Sequence, residues 1–594
     1  MKQFLLLSML VCFVFSLPAQ DTSERWVEGY VRDANGDGIP GVNIIVKSTT
    51  NGTVTDANGF FRIKMPIGGV LVFNAVGLVS QEVTVGSQPV LRVDMVDAVK
   101  ELDEVVVTGY AESSQNALSG SVAGLRVRKK RKGKKNKTQT PPPATDYLNE
   151  SYDPIAEGGF QNPSSRPLST FSVDVDRAAY SNLRRFINQG QRPPKDAVRI
   201  EEMINYFDYD YPQPQDAHPF SIYTELSQAP WNQDHQLLHI GLQGRALPRE
   251  ELPPTNLVFL IDVSGSMSAQ NKLPLLQSSL KLLVKELRPE DRVAIVVYAG
   301  AAGEALSSTP ARQKDKIIAA IEQLRAGGST AGGQGLKLAY KIARQHFKKN
   351  GNNRVILATD GDFNVGPSSD REMVRLIEEE RKSGIYLTCL GFGMGNLKDS
   401  KMEKLADKGN GNYAYIDNIL EANKTLVSEF GGTLYTIAQD VKLQLEFNPQ
   451  YVQAYRLIGY ENRILEDEDF NDDEKDAGEI GSGHTVTALY EIISVGVKSK
   501  IARKVDALKY QRSLVSNSNA YSSELLTVKF RYKRPGEKES RLLEEVVSKE
   551  SITLEQSSDN FRFSAAVAAF GMLLRDSEYI KGMDYQEVID LAKK

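Results

Sequence analysis

Three separate segments of the sequence carry carboxylates and hydroxyls in a pattern that suits a metal ion. Asp262, Ser264 and Ser266 alternate within one short turn, Thr330 lies in the glycine-rich stretch 327–333, and Asp360 follows a later apolar run. Carboxylates and hydroxyls without histidine or thiolate favour a hard ion such as Mg²⁺, with Mn²⁺ or Ca²⁺ as the alternatives. Because hydroxyls are neutral ligands, such a site stays electron-poor and favours an anionic ligand from outside.

The surrounding elements predict that these residues meet at one edge of a sheet. Between residues 255 and 432, apolar strand-like runs alternate with amphipathic helical runs, and strands this apolar need cover on both faces. We therefore predict a doubly wound, Rossmann-like α/β domain, in which ligands bind beyond the carboxyl ends of the strands. The predicted strands are Leu257–Ile261, Val293–Tyr298, Val355–Ala358, Ile385–Leu390 and Tyr413–Ile416.

The five oxygen-bearing residues resemble a known motif. In order and spacing they match the metal-ion-dependent adhesion site of the von Willebrand factor type A family. The resemblance implies that the serines and the threonine contact the ion directly, that the aspartates act largely through water, and that an Asp or Glu carboxylate of a partner protein completes the shell. The alternative is purely structural: the serines cap the next helix and the aspartates are surface residues.

The rest of the chain predicts a multidomain protein. The runs Phe171–Pro212, 478–491 and 561–571 resemble the bacterial YfbK-like subfamily of type A proteins, and the region after Gly432 predicts a β-rich domain. Short β-rich runs with turns predict a small antiparallel sandwich near the N-terminus, and residues 41–61 resemble a carboxypeptidase regulatory-like, transthyretin-like domain. The predicted boundaries are 1–20 (signal peptide), 26–97 (sandwich), 98–165 (linker), 166–250 (N-terminal segment of the type A protein), 255–432 (type A domain) and 433–594 (C-terminal domain).

The N-terminus has the features of a secretory signal peptide. Lys2 precedes the apolar run Phe4–Phe15, and small and polar residues follow near Ala19. That run is too short to cross a membrane, which needs about 20 apolar residues. We expect an exported protein without a transmembrane span in its mature form, located in the periplasm, at the outer membrane or on the cell surface.

The segment Glu101–Tyr110 resembles the one that follows the same sandwich in TonB-dependent outer-membrane receptors, but the plug and barrel patterns of a transporter do not follow it.

The predicted linker contains a dense basic cluster. Nine of the twelve residues from Arg126 to Lys137 are Lys or Arg. The pattern favours a flexible, solvated linker. Nucleic acid would attract such a cluster, but the signal peptide argues against nucleic acid as a partner. Attraction to anionic lipid or polysaccharide of the cell envelope remains the functional alternative.

The sequence offers little support for catalysis. The chain has five histidines, and none of them stands in a metal-ligand or triad pattern. It also lacks a Gly-x-Ser-x-Gly elbow around Ser264 and a phosphate-binding loop. We therefore predict a metal-dependent binding protein with an adhesion or assembly role and not an enzyme. The alternatives are a metal-dependent hydrolase and a chaperone-like adaptor.

Cys389, the only cysteine after the predicted signal peptide, lies in an apolar run and is interpreted as a core residue.

Overall fold

The structure is a computed structural model that divides into two units, residues 1–147 and 148–594. It describes residues 24–33, 36–39, 42–47, 52–56, 58–66, 68–74, 81–86, 90–95, 149–173, 176–299, 301–327, 332–361, 363, 370–429, 435–499 and 521–593. The predicted signal peptide, the basic cluster 126–137 and the segment 101–110 lie outside the described residues. In the described part of the chain, no helix is both long and apolar enough to cross a membrane.

The first unit contains a small β-sandwich, as the sequence predicts. One sheet has the order β4-β1-β7 and the other the order β3-β2-β5-β6. Alternating residues of both sheets, such as Val31, Ile44, Phe61 and Phe73, are fully or almost fully buried in a common core. The pairing is antiparallel except between β1 and β7, which run parallel. The strands are β1 Glu24–Arg32, β2 Asn43–Val46, β3 Gly52–Val54, β4 Phe60–Pro66, β5 Val70–Asn74, β6 Gln81–Thr84 and β7 Val90–Asp94.

The second unit contains the remaining strands and the helices. The strands are β8 Leu168–Ser172, β9 Phe220–Ala229, β10 Asn232–Gly244, β11 Thr255–Asp262, β12 Arg292–Ala299, β13 Ala301–Pro310, β14 Asn352–Thr359, β15 Ile385–Phe392, β16 Tyr413–Ile416, β17 Thr436–Phe447, β18 Val452–Ile458, β19 Gly478–Gly481, β20 Thr485–Ser494, β21 Glu524–Lys533 and β22 Arg541–Ser548. The helices are α1 Ala178–Asn188, α2 Ile200–Asn205, α3 Leu273–Glu286, α4 Lys314–Glu322, α5 Gly332–Gln345, α6 Asp370–Lys382, α7 Asp399–Lys408, α8 Ile419–Asn423, α9 Asp559–Arg575 and α10 Tyr585–Lys593.

The central domain is the predicted doubly wound α/β domain. Its sheet has the order β13-β12-β11-β14-β15-β16, and its strands are parallel except for the edge strand β13. Successive residues of β11 enter opposite cores: Phe259 packs with residues of α3 and α4, whereas Leu260 packs with residues of α5, α6 and α7. Helices on both faces explain why β11 is buried along its whole length. Cys389 of β15 is a buried core residue, as predicted, and burial raises the pKa of its thiol.

A second β-sandwich combines strands from both sides of the central domain. One sheet has the order β18-β20-β10-β9, and the other has the order β19-β17-β21-β22 with β8 paired to β17. The shared core contains Phe220 and Leu238 from before the central domain and Phe447 and Phe530 from after it. The central domain is therefore inserted in the chain between β10 and β17, two strands of the same sandwich.

A buried, carboxylate-rich cluster joins the segment before β9 to the central domain. Arg199, next to α2, lies 2.9 Å from Glu403 and 3.5 Å from Asp399, both on α7, and 3.4 Å from Glu202. Arg463 contacts the other carboxylate oxygen of Glu403 at 3.1 Å. Burial raises the pKa of Glu403 to about 7, although the charges of the two arginines act in the opposite direction.

The raised pKa of Glu403 predicts a pH-dependent stability. Because the folded state holds a proton on this carboxyl at a pH where the unfolded chain does not, the stabilisation is present below the ordinary Glu pKa and is lost as the pH rises through about 7. We expect the melting temperature to fall between about pH 5 and pH 8, and to fall less in Glu403→Gln. Thermal unfolding across this range tests this, with Glu550→Gln at an exposed position as the control. Parallel pH profiles for the wild type and Glu403→Gln would contradict it.

Candidate metal centre

The parallel pairing of the central sheet brings two of the predicted carboxylates to one edge. In the register of β11 with β14, Ile261 lies opposite Ala358, so Asp262 and Asp360 follow at the carboxyl ends of neighbouring strands. Tyr298 lies opposite Asp262 in the register of β11 with β12. This edge is where ligands bind in sheets of this kind.

Asp262 is held in one orientation by its neighbours. One carboxylate oxygen accepts the backbone N–H of Ser264 at 2.8 Å, and the other accepts the hydroxyl of Thr359 at 3.0 Å. The side chain is 0% exposed. Burial is the main reason why the pKa of Asp262 is raised, and the nearby charge of Asp360 adds to it. A cation at this edge would favour the charged form of both carboxyls.

The two serines do not cap the helix that follows them. Ser264 precedes a single 3₁₀ turn, Gly265–Ser268, its side chain makes no capping hydrogen bond, and α3 begins only at Leu273. The Ser264 hydroxyl oxygen instead lies 3.0 Å from that of Ser266. Because Asp262 and Asp360 are both 0% exposed, they are not surface residues either. The structural alternative, a capped helix with surface carboxylates, therefore does not describe this edge of the sheet.

Asp360 is paired with a lysine that the motif does not contain. The ammonium of Lys272 donates to a carboxylate oxygen of Asp360 at 2.7 Å. Gly361, the next residue, has a φ of +101°, and a Cβ atom there would lie 2.6 Å from the carbonyl oxygen of Asn396. Glycine therefore allows the chain after β14 to turn sharply against the loop that precedes α7.

Thr330 lies outside the described residues, but both ends of its loop are described. The backbone N–H of Gly327 donates to the carbonyl of Val263, next to Asp262, at 2.7 Å. Helix α5 begins at Gly332, and a Cβ atom on Gly335 would lie 3.1 Å from Cβ of Tyr298. The described residues before and after position 330 thus lie beside β11 and β12.

Two residues of this edge, Lys272 and Tyr298, could not be identified from the sequence. The Tyr298 hydroxyl is buried close to Asp262 and Thr359, and burial followed by the charge of Asp262 raises its pKa well above the usual value. Its position opposite Asp262 could have been found only from the strand register. Lys272 belongs to no spacing rule, and its place at the start of α3 gives no signal in the sequence.

The donor atoms at this edge fit a small hard ion. They are carboxylate and hydroxyl oxygens, which Mg²⁺ and Mn²⁺ accept. Among the described residues, no group of three or more His, Cys, Asp or Glu side chains is arranged to hold a metal. An ion bound here would therefore depend on Ser264 and Ser266 as well as on the carboxylates.

Comparisons with known proteins identify the parts of the chain. Family models match at residues 27–107 (CarboxypepD_reg-like domain), 146–239 (von Willebrand factor), 256–429 (von Willebrand factor type A domain) and 432–594 (Uncharacterized protein YfbK, C-terminal). The Escherichia coli K12 protein YfbK is 46% identical over 450 residues, which cover 75% of this chain and 77% of that protein. The chain belongs to the YfbK family.

Two further similarities concern parts of this YfbK-family protein. The TonB-dependent receptor SusC of Bacteroides thetaiotaomicron is 35% identical over 130 residues, which are 22% of this chain and 13% of that receptor. A solved structure, the von Willebrand factor type A protein from Catenulispora acidiphila, is 14% identical and covers 64% of this chain and 97% of its own, with a TM-score of 0.35. The predicted domain types and fold class are confirmed, and the type A domain gives this YfbK-family protein a protein-interaction or assembly role.

Proposed function

We propose that the protein binds a partner protein in the cell envelope through a divalent metal ion at the carboxyl edge of the central sheet. Ser264, Ser266 and Thr330 supply neutral oxygens, and Asp262 and Asp360 supply negative charge. The ion is Mg²⁺ or Mn²⁺, and when bound it supplies the positive charge that attracts an Asp or Glu carboxylate of the partner. Partner binding is the function, and catalysis is not part of the proposal.

The separation of the two serine hydroxyls carries this proposal. Their oxygens lie 3.0 Å apart next to two buried carboxylates. Neighbouring ligands of an octahedral ion with bonds of 2.0–2.1 Å are about 2.9 Å apart, and neighbouring equatorial ligands of a pentagonal-bipyramidal Ca²⁺ are about 2.7–3.1 Å apart. The two serines are therefore spaced to contact one metal ion without rearrangement of the turn.

The turn that follows Asp262 gives a partner access to the site. Gly265, Ser266, Ser268 and Ala269 are exposed, whereas Asp262 and Ser264 are buried beneath them. A carboxylate on a protruding side chain of a partner can reach Ser266 while the sheet stays intact. This arrangement suits recognition of a protein surface better than enclosure of a small molecule.

The proposed envelope location rests on the N-terminal part of the chain. Residues 1–20 have the pattern of a secretory signal peptide. A CarboxypepD_reg-like family model matches residues 27–107, and 130 residues of the chain are 35% identical to a TonB-dependent receptor. Cell fractionation tests this location, because recovery of the protein with an intact Met1 in the cytosol would contradict it.

Site-specific photo-crosslinking tests the proposed binding mode. A photoreactive residue at the exposed Ala269, three positions beyond Ser266, is expected to yield a crosslinked partner in envelope fractions of the producing bacterium. The adduct should disappear with EDTA, return with excess Mg²⁺ and be absent in Asp262→Asn. The same photoreactive residue at the exposed Ser548 on β22 is the control position. An Ala269 adduct that persists with EDTA would overturn the metal-bridged mechanism.

A further inference from the structure

Lys272 is a buried cation inside the candidate metal centre. Its side chain is 9% exposed, and its ammonium lies 2.7 Å from an oxygen of Asp360, which is 0% exposed. Lys272 directly precedes α3 and follows the exposed segment 268–270. The ammonium therefore stands at the edge that would also hold the metal ion.

The loop after β15 fixes the path of the lysine side chain. Gly393 has a φ of +70°, and a Cβ atom there would lie 2.4 Å from both Cγ and Cε of Lys272. The Tyr415 hydroxyl donates to the carbonyl of Gly393, which holds this part of the loop in place. The aliphatic part of Lys272 thus packs directly against Gly393. Any larger residue at position 393 would displace the lysine side chain. This close packing indicates that the surrounding structure holds the Lys272 side chain in one defined position.

The charges at the site indicate how Lys272 affects binding of the metal ion and of an external carboxylate. When a bound cation holds both carboxyls in their charged form, Asp262 and Asp360 contribute two negative charges among the described residues, and Lys272 contributes one positive charge. A divalent ion would leave the site with one net positive charge, and one external carboxylate would then make it neutral. Without the lysine, the ion alone would make the site neutral, and an external carboxylate would add uncompensated negative charge. In a buried site, where water screens charges poorly, this difference is large.

We propose that Lys272 couples metal binding to ligand binding: it weakens binding of the metal ion alone and strengthens joint binding of the metal ion and an external carboxylate. The inference rests on the proposed function, because it assumes that the ion binds at this edge. Lys272 acts here as a specificity-determining residue, which disfavours a metal-loaded site without an acidic partner. Coupling energies between sites correspond to changes in affinity of about 5- to 150-fold.

Mn²⁺ titrations of the full-length protein test the coupling, with free Mn²⁺ measured by electron paramagnetic resonance. Acetate serves as the carboxylate probe, and chloride at equal ionic strength serves as its control. For the wild type, acetate is expected to increase the affinity for Mn²⁺. In Lys272→Met, Mn²⁺ alone is expected to bind about tenfold more tightly, and the effect of acetate should largely disappear. Lys272→Arg keeps the charge and should retain the acetate effect.

The outcomes separate this inference from the proposed function. Mn²⁺ binding that is lost in Asp262→Asn but is equally tight in the wild type and Lys272→Met, with the same acetate effect in both, would overturn the role of Lys272 alone. Mn²⁺ binding that is unaffected in Asp262→Asn would show that the ion binds elsewhere, and would overturn both. Circular dichroism and thermal unfolding of each variant establish that a lost effect is not a loss of fold.

Discussion

Replacing Glu491 by alanine is expected to lower the free energy of unfolding of the second unit by about 3–5 kcal/mol. Glu491 on β20 is 1% exposed and lies 2.7 Å from Arg456 on β18, which is also 1% exposed, and 2.5 Å from His235 on β10. Removal of the carboxylate leaves a buried guanidinium that keeps Glu157, at 3.1 Å, as a charged neighbour. Because that remaining pair still compensates part of the charge of the guanidinium, we expect a value near the lower end of the range.

The pKa of Glu491 adds a pH dependence to this expectation. Burial alone would raise the pKa, but the hydrogen bond from His235 and the charge of Arg456 lower it below the usual value. The stabilisation by Glu491 is therefore present above the pKa of an unfolded glutamate and is lost as the pH falls through the lower folded value. The difference between wild type and Glu491→Ala should accordingly shrink in acid.

Urea unfolding followed by tryptophan fluorescence can measure this loss of stability in the second unit of the chain. Trp231 is 4% exposed in the second unit, whereas Trp26 of the first unit is 57% exposed and changes its environment less on unfolding. Glu446→Ala is the matched control, since Glu446 pairs with Lys529 at 2.7 Å but is 53% exposed. That exposed pair should contribute less than about 1 kcal/mol. Equal losses of unfolding free energy in Glu491→Ala and Glu446→Ala would show that the buried Glu491 pair stabilises the fold no more than an exposed pair does.

Mg²⁺ is expected to stabilise the wild type and to leave Asp262→Asn unchanged. At a concentration of about 100 times its dissociation constant, an ion that binds only the folded state adds about 2.7 kcal/mol to the free energy of unfolding. Asparagine keeps the shape of Asp262, so its side chain can still bond to Ser264 N–H and to Thr359. Alanine is a poorer choice here, because Asp262 is fully buried and its loss would leave these groups without an acceptor.

The measurement is the melting temperature of the second unit with EDTA and with increasing Mg²⁺. Asp234→Asn makes the same charge change at an exposed position near the start of β10 and should respond to Mg²⁺ like the wild type. A stabilisation by Mg²⁺ that is as large in Asp262→Asn as in the wild type would place the ion at another site.

The sequence predicts the central domain well because its strands are buried on both faces. Continuous apolar runs predict β16 at Tyr413–Ile416 with the observed bounds, and they predict the core of β11 at Leu257–Ile261 within the observed Thr255–Asp262. Asp262 and Asp360 could be predicted to meet, since parallel strands deliver their carboxyl ends to one edge. The edge strand β13 is missing from the prediction because it is largely exposed and lacks a continuous apolar run.

Contacts between distant parts of the chain could not be predicted from local patterns. Local sequence patterns place the segment before the central domain and the region after it in separate parts, whereas β10 pairs with β20 in one sheet. Alternation of apolar residues indicates a strand but does not name its partner. The pairing of Lys272 with Asp360 is likewise a product of tertiary packing. The placement of Thr330 stays a prediction.

The insertion of the central domain between β10 and β17 also sets an order of events during synthesis. Roughly 190 residues separate Gly244 at the end of β10 from Thr436 at the start of β17, and at about 5–20 residues per second a ribosome needs about 10–40 s to make them. The β9–β10 hairpin can form early, but β8 and the free edge of β10 wait for strands that do not yet exist. The inserted domain, whose own strands are contiguous in the chain, can complete its sheet during this interval. Nascent chains that stop before β17 therefore expose an unpaired, apolar sheet edge, which makes the part of the sequence from β17 onwards a safeguard against aggregation of the β9–β10 hairpin.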